Sequence, residues 1–273
     1  MSDSPLSQAP LGREVAYPQT YDPSQLFPIA RAQTRASLAL PGPWFGADVW
    51  NAYEVSWLNS RGLPRAAVAR FSFPADSANL VESKSFKLYL NSFNESRFDS
   101  AEEVAALLKA DLSRAVGAPV GVTLFSVDDA AALAYRPLVG RCLDTLDVEI
   151  EHYLPQPALL RAVSEEVVTE TLVSHLLKSN CPVTGQPDWG SVQIRYTGPR
   201  IDPEGLLKYI VSFRRHTEFH EHCVERMYCD LWRALQPESL FVMALYTRRG
   251  GLDINPWRSS HPVEPETLRT LRQ

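Results

Sequence analysis

Ser191-Val192-Gln193-Ile194-Arg195-Tyr196 alternates polar and apolar side chains, which is the period of a half-buried β-strand. A helix start follows at Asp202-Pro203, because a carboxylate suits the N-cap and proline suits the first helical turn. The predicted helix has an apolar stripe, which consists of Leu206, Leu207, Ile210 and Val211. This stretch therefore predicts a strand that leads into a helix with one buried face.

The same order of elements is predicted twice along the chain. In the second half, a helix at about 218–235 follows the first one, and the strands are 167–178, 190–197, 239–247 and 251–258. In the first half, Ala101 to Val116 is a helix that ends at Gly117, and the strands are 48–59, 66–74, 119–126 and 141–150. Two strands, two helices and two strands predict an α+β fold, with an antiparallel sheet and helices on one face.

Short segments of the two halves also match in order. Val55-Ser56-Trp57-Leu58 corresponds to Val173-Ser174-His175-Leu176, and Asp111-Leu112 corresponds to Asp230-Leu231, with offsets that stay between 118 and 121. A run of such matches indicates a duplicated module. We expect a proline-rich N-terminal arm at 1–45 that packs late or stays mobile, a first module at 46–155 and a second module at 156–273.

Composition narrows the classes of function. The 273 residues carry a net charge of −5, which argues against direct binding of nucleic acid. The four cysteines form no CxxC pair and no disulfide pattern, which is typical of a reducing compartment. No signal peptide is visible, and no apolar run approaches the roughly 20 residues that span a bilayer. We expect a cytoplasmic protein that does not enter a membrane.

The segment 179–190 contains the strongest chemical signal. Cys181 lies in a loop marked by prolines and Gly185, and Asp188 follows seven positions later. A loop thiol beside a proton donor or acceptor is the minimum equipment for covalent catalysis on an electrophilic carbon. A lone cysteine is also often only a small buried apolar side chain, and an aspartate after proline is often only turn chemistry.

Three further motifs each allow two interpretations. Glu82-Ser83-Lys84 with Lys87 is either a capped, solvated helix start or a base-recognising carboxylate beside phosphate-binding lysines. The histidines at 216, 220 and 222 indicate either a metal site or a polar helix start. Arg248-Arg249-Gly250-Gly251 is a hairpin turn that could also hold a phosphate. No GxGxxG or GxxxxGK[ST] motif is present, so the sequence supports neither a Rossmann nor a P-loop site.

Four segments together resemble a known family. They are Glu82-Ser83-Lys84-Ser85-Phe86-Lys87-Leu88-Tyr89, Ser179-Asn180-Cys181 with Asp188-Trp189-Gly190, Phe219-His220-Glu221, and Arg248-Arg249-Gly250-Gly251 through Arg258. They resemble the NADPH-dependent 7-cyano-7-deazaguanine reductases, the nitrile reductases of queuosine biosynthesis, over roughly residues 45–260. The match is to the long, two-module branch of this family, which has the tunnelling fold. The resemblance implies a homodimer, with a site at a module or subunit boundary.

The resemblance implies a role for each matching residue. Cys181 adds to the nitrile and forms a thioimide, Asp188 donates the proton, and His220 shuttles protons. The substrate is bound by Val81, Glu82, Ser83, His220 and Glu221, and the cofactor by Ser83, Lys84, Arg249 and Gly250. Two NADPH reduce 7-cyano-7-deazaguanine to 7-aminomethyl-7-deazaguanine, and no metal takes part.

Two alternatives remain at this point. One is a zinc-dependent cyclohydrolase of the same fold that uses Cys181, His220 and His222, which predicts stoichiometric metal. The other is a non-catalytic module that binds a purine or a partner protein, which predicts binding without NADPH turnover.

Overall fold

The computed structural model describes residues 17–38, 42, 44–129, 133–266 and 268–273. The chain groups into two compact units. Unit 1 takes the residues up to Thr34, Asp48–Leu133 and Arg248–Asp253, and unit 2 takes Arg35–Ala47, Ala134–Thr247 and Ile254–Gln273. The predicted boundaries at 45 and 155 remain predictions.

Within the described residues, unit 1 contains all or most of five strands and three α-helices. Its elements are β1 (Pro28–Ala30), α1 (Arg31–Arg35), β2 (Phe45–Leu58), β3 (Pro64–Pro74), β4 (Asn79–Val81), α2 (Ser83–Asn91), α3 (Ala101–Val116) and β5 (Gly121–Phe125). The strand order is β5-β3-β2, with β5 antiparallel to β3, and β1 pairs with β4 in a separate antiparallel ribbon. Aromatic side chains pack between β3 and α2, where the rings of Phe71 and Phe86 meet edge to face at 5.1 Å.

Unit 2 has longer strands. Its elements are β6 (Arg141–Cys142), β7 (Ala162–Asn180), β8 (Pro187–Ile201), α4 (Pro203–Ser212), α5 (His220–Leu235), β9 (Ser239–Tyr246) and most of β10 (Leu252–Ser259). The strand order is β10-β9-β8-β7-β6. The pairs from β7 to β10 are antiparallel, and the short edge strand β6 runs parallel to β7. The fold is therefore mixed α+β with mainly antiparallel strands.

The core of unit 2 lies between the sheet and its two helices. On β9 the alternate residues Leu240, Val242 and Ala244 are buried in the same cluster as side chains of α4 and α5. The intervening residues Phe241 and Met243 belong to a smaller cluster on the other face. Because strand side chains alternate between faces, both helices of this unit cover one face of the sheet, as the sequence predicts.

Each unit has a buried tyrosine–aspartate hydrogen bond within its own pair of helices. In unit 1, the hydroxyl of Tyr89 on α2 donates to Asp111 on α3 at 2.8 Å. In unit 2, the hydroxyl of Tyr209 on α4 donates to Asp230 on α5 at 2.7 Å. Each bond ties the first helix of its pair to the second, since a buried phenol and carboxylate both require partners.

Most predicted elements are confirmed. The helix Ala101–Val116 ends at Gly117, which adopts the left-handed conformation, and Asp202 caps α4 by accepting from the backbone N–H of Glu204. The strands β7 and β8 are both longer than predicted, because their pairing continues on both sides of the alternating segment.

The predicted strand 141–150 is wrong beyond its first two residues. The backbone turns after Cys142, and the N–H of Leu146 donates to the carbonyl of Leu143 at 3.0 Å. In addition, the side chain of Asp144 accepts the N–H of His175 at 2.8 Å. Since a side chain takes the N–H that a continued parallel ladder would use, pairing with β7 ends there.

The described part of the proline-rich arm, up to Thr34, packs against the rest of unit 1. Residues 17–38 include β1 and α1, and the hydroxyl of Tyr21 donates to Asp111 at 2.5 Å. Arg31 makes a buried ion pair with Asp48 at 2.5 Å. This part of the arm is therefore packed rather than mobile, while residues 1–16 lie outside the described residues. Among the described residues, no helix has the length and apolarity needed to cross a membrane.

Candidate active site

Cys181 begins the turn that joins β7 to β8. The strands pair, with a register shift between Ser174 and Leu177, up to Asn180 and Pro187. The N–H of Cys181 donates to the carbonyl of Gln186 at 2.9 Å, and its own carbonyl accepts from Gly185 at 3.0 Å. The side chain is 7% exposed. Paired strands and two turn bonds thus hold the thiol in a fixed, nearly buried position.

Asp188 lies on β8, just past the same turn, opposite Ser179 of β7. Its side chain is 2% exposed, and its Oδ1 lies 3.5 Å from Nε2 of His220. His220 is the first residue of α5. The fold therefore brings a buried carboxylate and a half-buried imidazole together, and such a pair can exchange a proton.

Tyr246, which the sequence does not mark as a site residue, packs against His220 of this pair. It ends β9, and its ring meets the ring of His220 edge to face, with centroids 4.1 Å apart. Burial raises the pKa of Tyr246 well above its usual value, and the nearby Cys223 and Asp188 raise it further. The phenol therefore stays neutral beside the pair. The sequence places Tyr246 only in a strand, and no local pattern links it to His220.

The other two histidines of this segment, His216 and His222, contact Glu218. Glu218 Oε2 lies 2.6 Å from His216 Nε2, and Glu218 Oε1 lies 2.5 Å from His222 Nδ1. Burial pushes the pKa of Glu218 up, but hydrogen bonds from His216, His222 and Arg226 outweigh it and hold the pKa far below its usual range. Glu221 is the second residue of α5 and is 3% exposed.

These contacts bear on the zinc alternative. Among the described residues, two groups could hold a metal ion, namely Cys142 with Asp144 and His175, and His216 with Glu218 and Cys223. Cys181, His220 and His222 do not form such a group within that part of the chain. His222 Nδ1 instead lies 2.5 Å from Glu218 Oε1.

Glu82, in unit 1, caps helix α2. Its two oxygens accept the backbone N–H groups of Lys84 at 2.6 Å and Ser85 at 2.7 Å. Burial raises the pKa of Glu82, and those hydrogen bonds together with Lys87 and Lys84 oppose the rise. Val81 precedes it at the end of β4, and Ser83 opens the helix. Each carboxylate oxygen retains a further lone pair, so capping leaves Glu82 able to accept from a ligand.

The candidate phosphate-binding residues also lie in unit 1. Lys84 places Nζ 3.3 Å from the hydroxyl of Tyr17. Arg249 and Leu252 close the turn, in which Gly250 and Gly251 have φ of 56° and 73°. A Cβ on Gly250 would lie 3.4 Å from Lys87 Nζ. The turn therefore has Lys87 beside Gly250 and the carboxylate of Glu54 beside Gly251. The lysine and Arg249 favour a phosphate there, and the charge of Glu54 opposes one.

The fold thus divides the predicted residues into two sets. Cys181, Asp188, His220 and Glu221 belong to unit 2, where Asp188 contacts His220 and Cys181 begins the turn that precedes Asp188. Val81, Glu82, Ser83, Lys84, Arg249 and Gly250 belong to unit 1. A turn cysteine and a buried carboxylate–imidazole pair in the same unit, on an antiparallel α+β scaffold, are the parts of an enzyme that works by covalent catalysis.

Comparison with known proteins identifies the family. Residues 17–124 match the model of the nitrile reductase, 7-cyano-7-deazaguanine-reductase N-terminal domain, and residues 187–265 match that of QueF-like proteins. The NADPH-dependent 7-cyano-7-deazaguanine reductase of Bordetella avium is 58% identical over 98% of this chain and 100% of its own length. The protein of that name from Chromohalobacter salexigens is 58% identical over 99% of each chain. The chain belongs to the NADPH-dependent 7-cyano-7-deazaguanine reductase family.

The chain also matches solved structures. One of them is the archaeosine synthase QueF-Like in the apo form, which is 20% identical and covers 36% of this chain and 96% of that chain, with a TM-score of 0.31. A similarity of this size carries no argument about the fold.

Proposed function

We propose that this protein reduces the nitrile of 7-cyano-7-deazaguanine to the primary amine, with NADPH as the reductant. The observation that carries the proposal is the 58% identity, over 98% of the chain, to a relative that bears the name of this activity. The reaction belongs to queuosine biosynthesis and takes place in the cytoplasm. The enzyme is a homodimer of chains with two tandem tunnelling-fold modules. The Tyr–Asp bond that recurs in both helix pairs supports the tandem modules.

Cys181 is the nucleophile in this mechanism. Its thiolate adds to the nitrile carbon, one C–N π bond becomes a lone pair on nitrogen, and a covalent thioimide results. Asp188 gives that nitrogen a proton and becomes a carboxylate. The burial of Asp188 and its 3.5 Å approach to His220 support this role, since His220 can return the proton after the step.

One NADPH supplies hydride to the thioimide carbon, and a second NADPH supplies hydride to the imine carbon. Cys181 leaves as a thiolate between these steps, so the carbon–sulfur bond breaks and the nucleophile is regenerated. His220 moves protons to the nitrogen during the later steps. The near-complete burial of Cys181 and Asp188 keeps water away from the imine, which water would hydrolyse.

Recognition of the guanine-like ring falls to the carboxylates. Glu221 accepts two ring N–H donors, in the charge-assisted arrangement that both binds and orients. Glu82 accepts a further donor, while Val81 and Ser83 contact the substrate from the same segment. Ser83, Lys84, Arg249 and Gly250 hold the phosphates of the cofactor. The position of Lys87 beside Gly250 supports this assignment, since it brings a positive charge to the glycine turn.

The test is to mix the protein with NADPH and 7-cyano-7-deazaguanine, and to follow cofactor absorbance while the amine is quantified. We expect nitrile-dependent oxidation with about two NADPH consumed per amine, because a nitrile needs four electrons. Omission of the nitrile is the matched control. The proposal fails if NADPH is not oxidised in the presence of the nitrile, or if the ratio is one to one.

A further inference from the structure

A second group of reactive side chains lies in unit 2, outside the set assigned to catalysis. Cys142, Asp144 and His175 each offer one ligand atom, and these atoms all lie within 4.8 Å of one another. We propose that the three residues bind a thiophilic divalent metal ion such as Zn²⁺. The ion would join the edge strand β6 to β7 and would take no part in the reduction.

The backbone brings the three residues together. Cys142 pairs with Val173 in the parallel ladder between β6 and β7, and the N–H of Leu143 donates to the carbonyl of Val173 at 2.9 Å. Gly140 allows this approach, because it has φ of 145° and a Cβ there would lie 2.7 Å from the carbonyl oxygen of Thr171. The ligand positions are therefore fixed by strand pairing before any ion binds.

Side-chain hydrogen bonds then orient two of the ligands. Asp144 Oδ1 accepts from the hydroxyl of Ser174 at 2.6 Å, and Oδ2 accepts from the N–H of His175 at 2.8 Å. The Nδ1 of His175 lies 2.8 Å from the hydroxyl of Ser191, which leaves Nε2 for a metal. Bonds of this kind from the second ring nitrogen are the usual support of a metal-bound histidine.

The ligand types and their separation suit Zn²⁺. Metal–ligand bonds of roughly 2.0–2.3 Å put the ligand atoms about 3.4–3.6 Å apart around a tetrahedral ion, so small side-chain rotations complete the site. A thiolate and a carboxylate offset both charges of the ion. Cys142 is exposed, so solvent can supply a fourth ligand and can accept the proton that the thiol loses on binding.

The other candidate group, at His216, Glu218 and Cys223, lacks these properties. The guanidinium of Arg226 lies 3.2 Å from Glu218, which repels a metal cation. Cys223 is fully buried, and burial together with the charge of Glu218 raises its pKa, so the thiolate is disfavoured. At the first group, Arg272 donates to the backbone carbonyl of His175 rather than to a ligand atom.

Metal titration of the full-length protein tests the proposal, after any bound metal has been removed with a chelator. Calorimetry should show stoichiometric Zn²⁺ binding with release of a proton. Cd²⁺ should produce the ultraviolet charge-transfer band of a cadmium thiolate. Cys142→Ser should remove the band. Ser191→Ala touches no ligand atom, and it should weaken binding by about 10–100-fold, the usual effect of losing a bond that orients a histidine ligand.

Cys181→Ala is the matched control, because it removes a different thiol from the same unit. Its cadmium band and zinc affinity should equal those of the wild type. The proposal is overturned if wild-type protein binds no stoichiometric metal, or if Cys142→Ser and His175→Gln bind Zn²⁺ as well as the wild type does. Circular dichroism of each variant, before titration, ensures that folded protein is compared.

Discussion

The turn that joins β2 to β3 and the turn that joins β7 to β8 differ in the role of their first side chain, which is Asn59 in one and Cys181 in the other. Between β2 and β3, the N–H of Asn59 donates to the carbonyl of Leu63 at 3.0 Å, and the side chain of Asn59 accepts from two further N–H groups of the turn. Between β7 and β8, the N–H of Cys181 donates to Gln186 in the same manner. This turn is closed by backbone hydrogen bonds, to which the thiol of Cys181 does not contribute.

The helix pairs repeat this contrast. Both keep a buried Tyr–Asp bond, at Tyr89 with Asp111 and at Tyr209 with Asp230. However, α3 begins at the capping hydroxyl of Ser100, whereas α5 begins without a side-chain cap and carries His220 and Glu221 in its first turn. The two helix pairs thus share a packing contact, and they differ in the side chains at the start of the second helix. This difference is consistent with the roles proposed for His220 and Glu221.

The largest expected effect concerns the two turns. Cys181→Ala should abolish nitrile reduction and leave the melting temperature nearly unchanged, because the turn is closed by backbone bonds. Asn59→Ala should retain activity but lower stability, since the net value of each lost hydrogen bond is about 0.5–1.5 kcal/mol. Activity assays and thermal denaturation of both variants decide. Measurable turnover by Cys181→Ala would remove the contrast.

Asp188→Asn should come next. An amide has nearly the same shape but cannot donate the proton, and loss of a general acid typically costs about 10²–10⁴ in rate. The nitrile should still bind. Single-turnover kinetics, with calorimetry as the control for affinity, separates the two effects. A large loss of affinity with a normal chemical step would make Asp188 a binding residue instead.

Glu221 tests the helix start of α5. Glu221→Leu should weaken nitrile binding severely, because each buried ring donor left without a partner costs about 1–3 kcal/mol. Glu221→Gln should be milder, since its amide oxygen still accepts. Calorimetry with the nitrile and with NADPH measures both, and NADPH affinity should barely change. Normal nitrile binding by Glu221→Leu would show that this carboxylate does not anchor the base.

The smallest expected effect concerns the shared Tyr–Asp bonds. Tyr209→Phe should lower stability by about 1–3 kcal/mol, because it removes the hydroxyl donor from buried Asp230 Oδ2. Tyr89→Phe should cost less, since Tyr21 still donates to the same oxygen of Asp111. Thermal denaturation ranks the two variants. Equal losses, or a larger loss for Tyr89→Phe, would contradict the geometry.

The sequence predicts local features well, and it fails where the outcome depends on side chains from distant segments. The cap at Asp202 and the end of α3 at Gly117 follow from local chemistry, so both were predicted. The predicted strand 141–150 is too long. It ends at Cys142, because the side chain of Asp144 accepts the backbone N–H of His175, which further strand pairing would need. The contact of Tyr246 with His220 depends on packing between β9 and α5, which no local pattern reveals.

The central claim is that the turn between β7 and β8 holds the reacting thiol. Intact-protein mass spectrometry after incubation with 7-cyano-7-deazaguanine, without NADPH, tests it most directly. We predict a gain equal to the mass of the whole nitrile, which peptide mapping locates on Cys181, and no gain in Cys181→Ala. An adduct that persists in Cys181→Ala, or that maps to Cys142, would contradict the account.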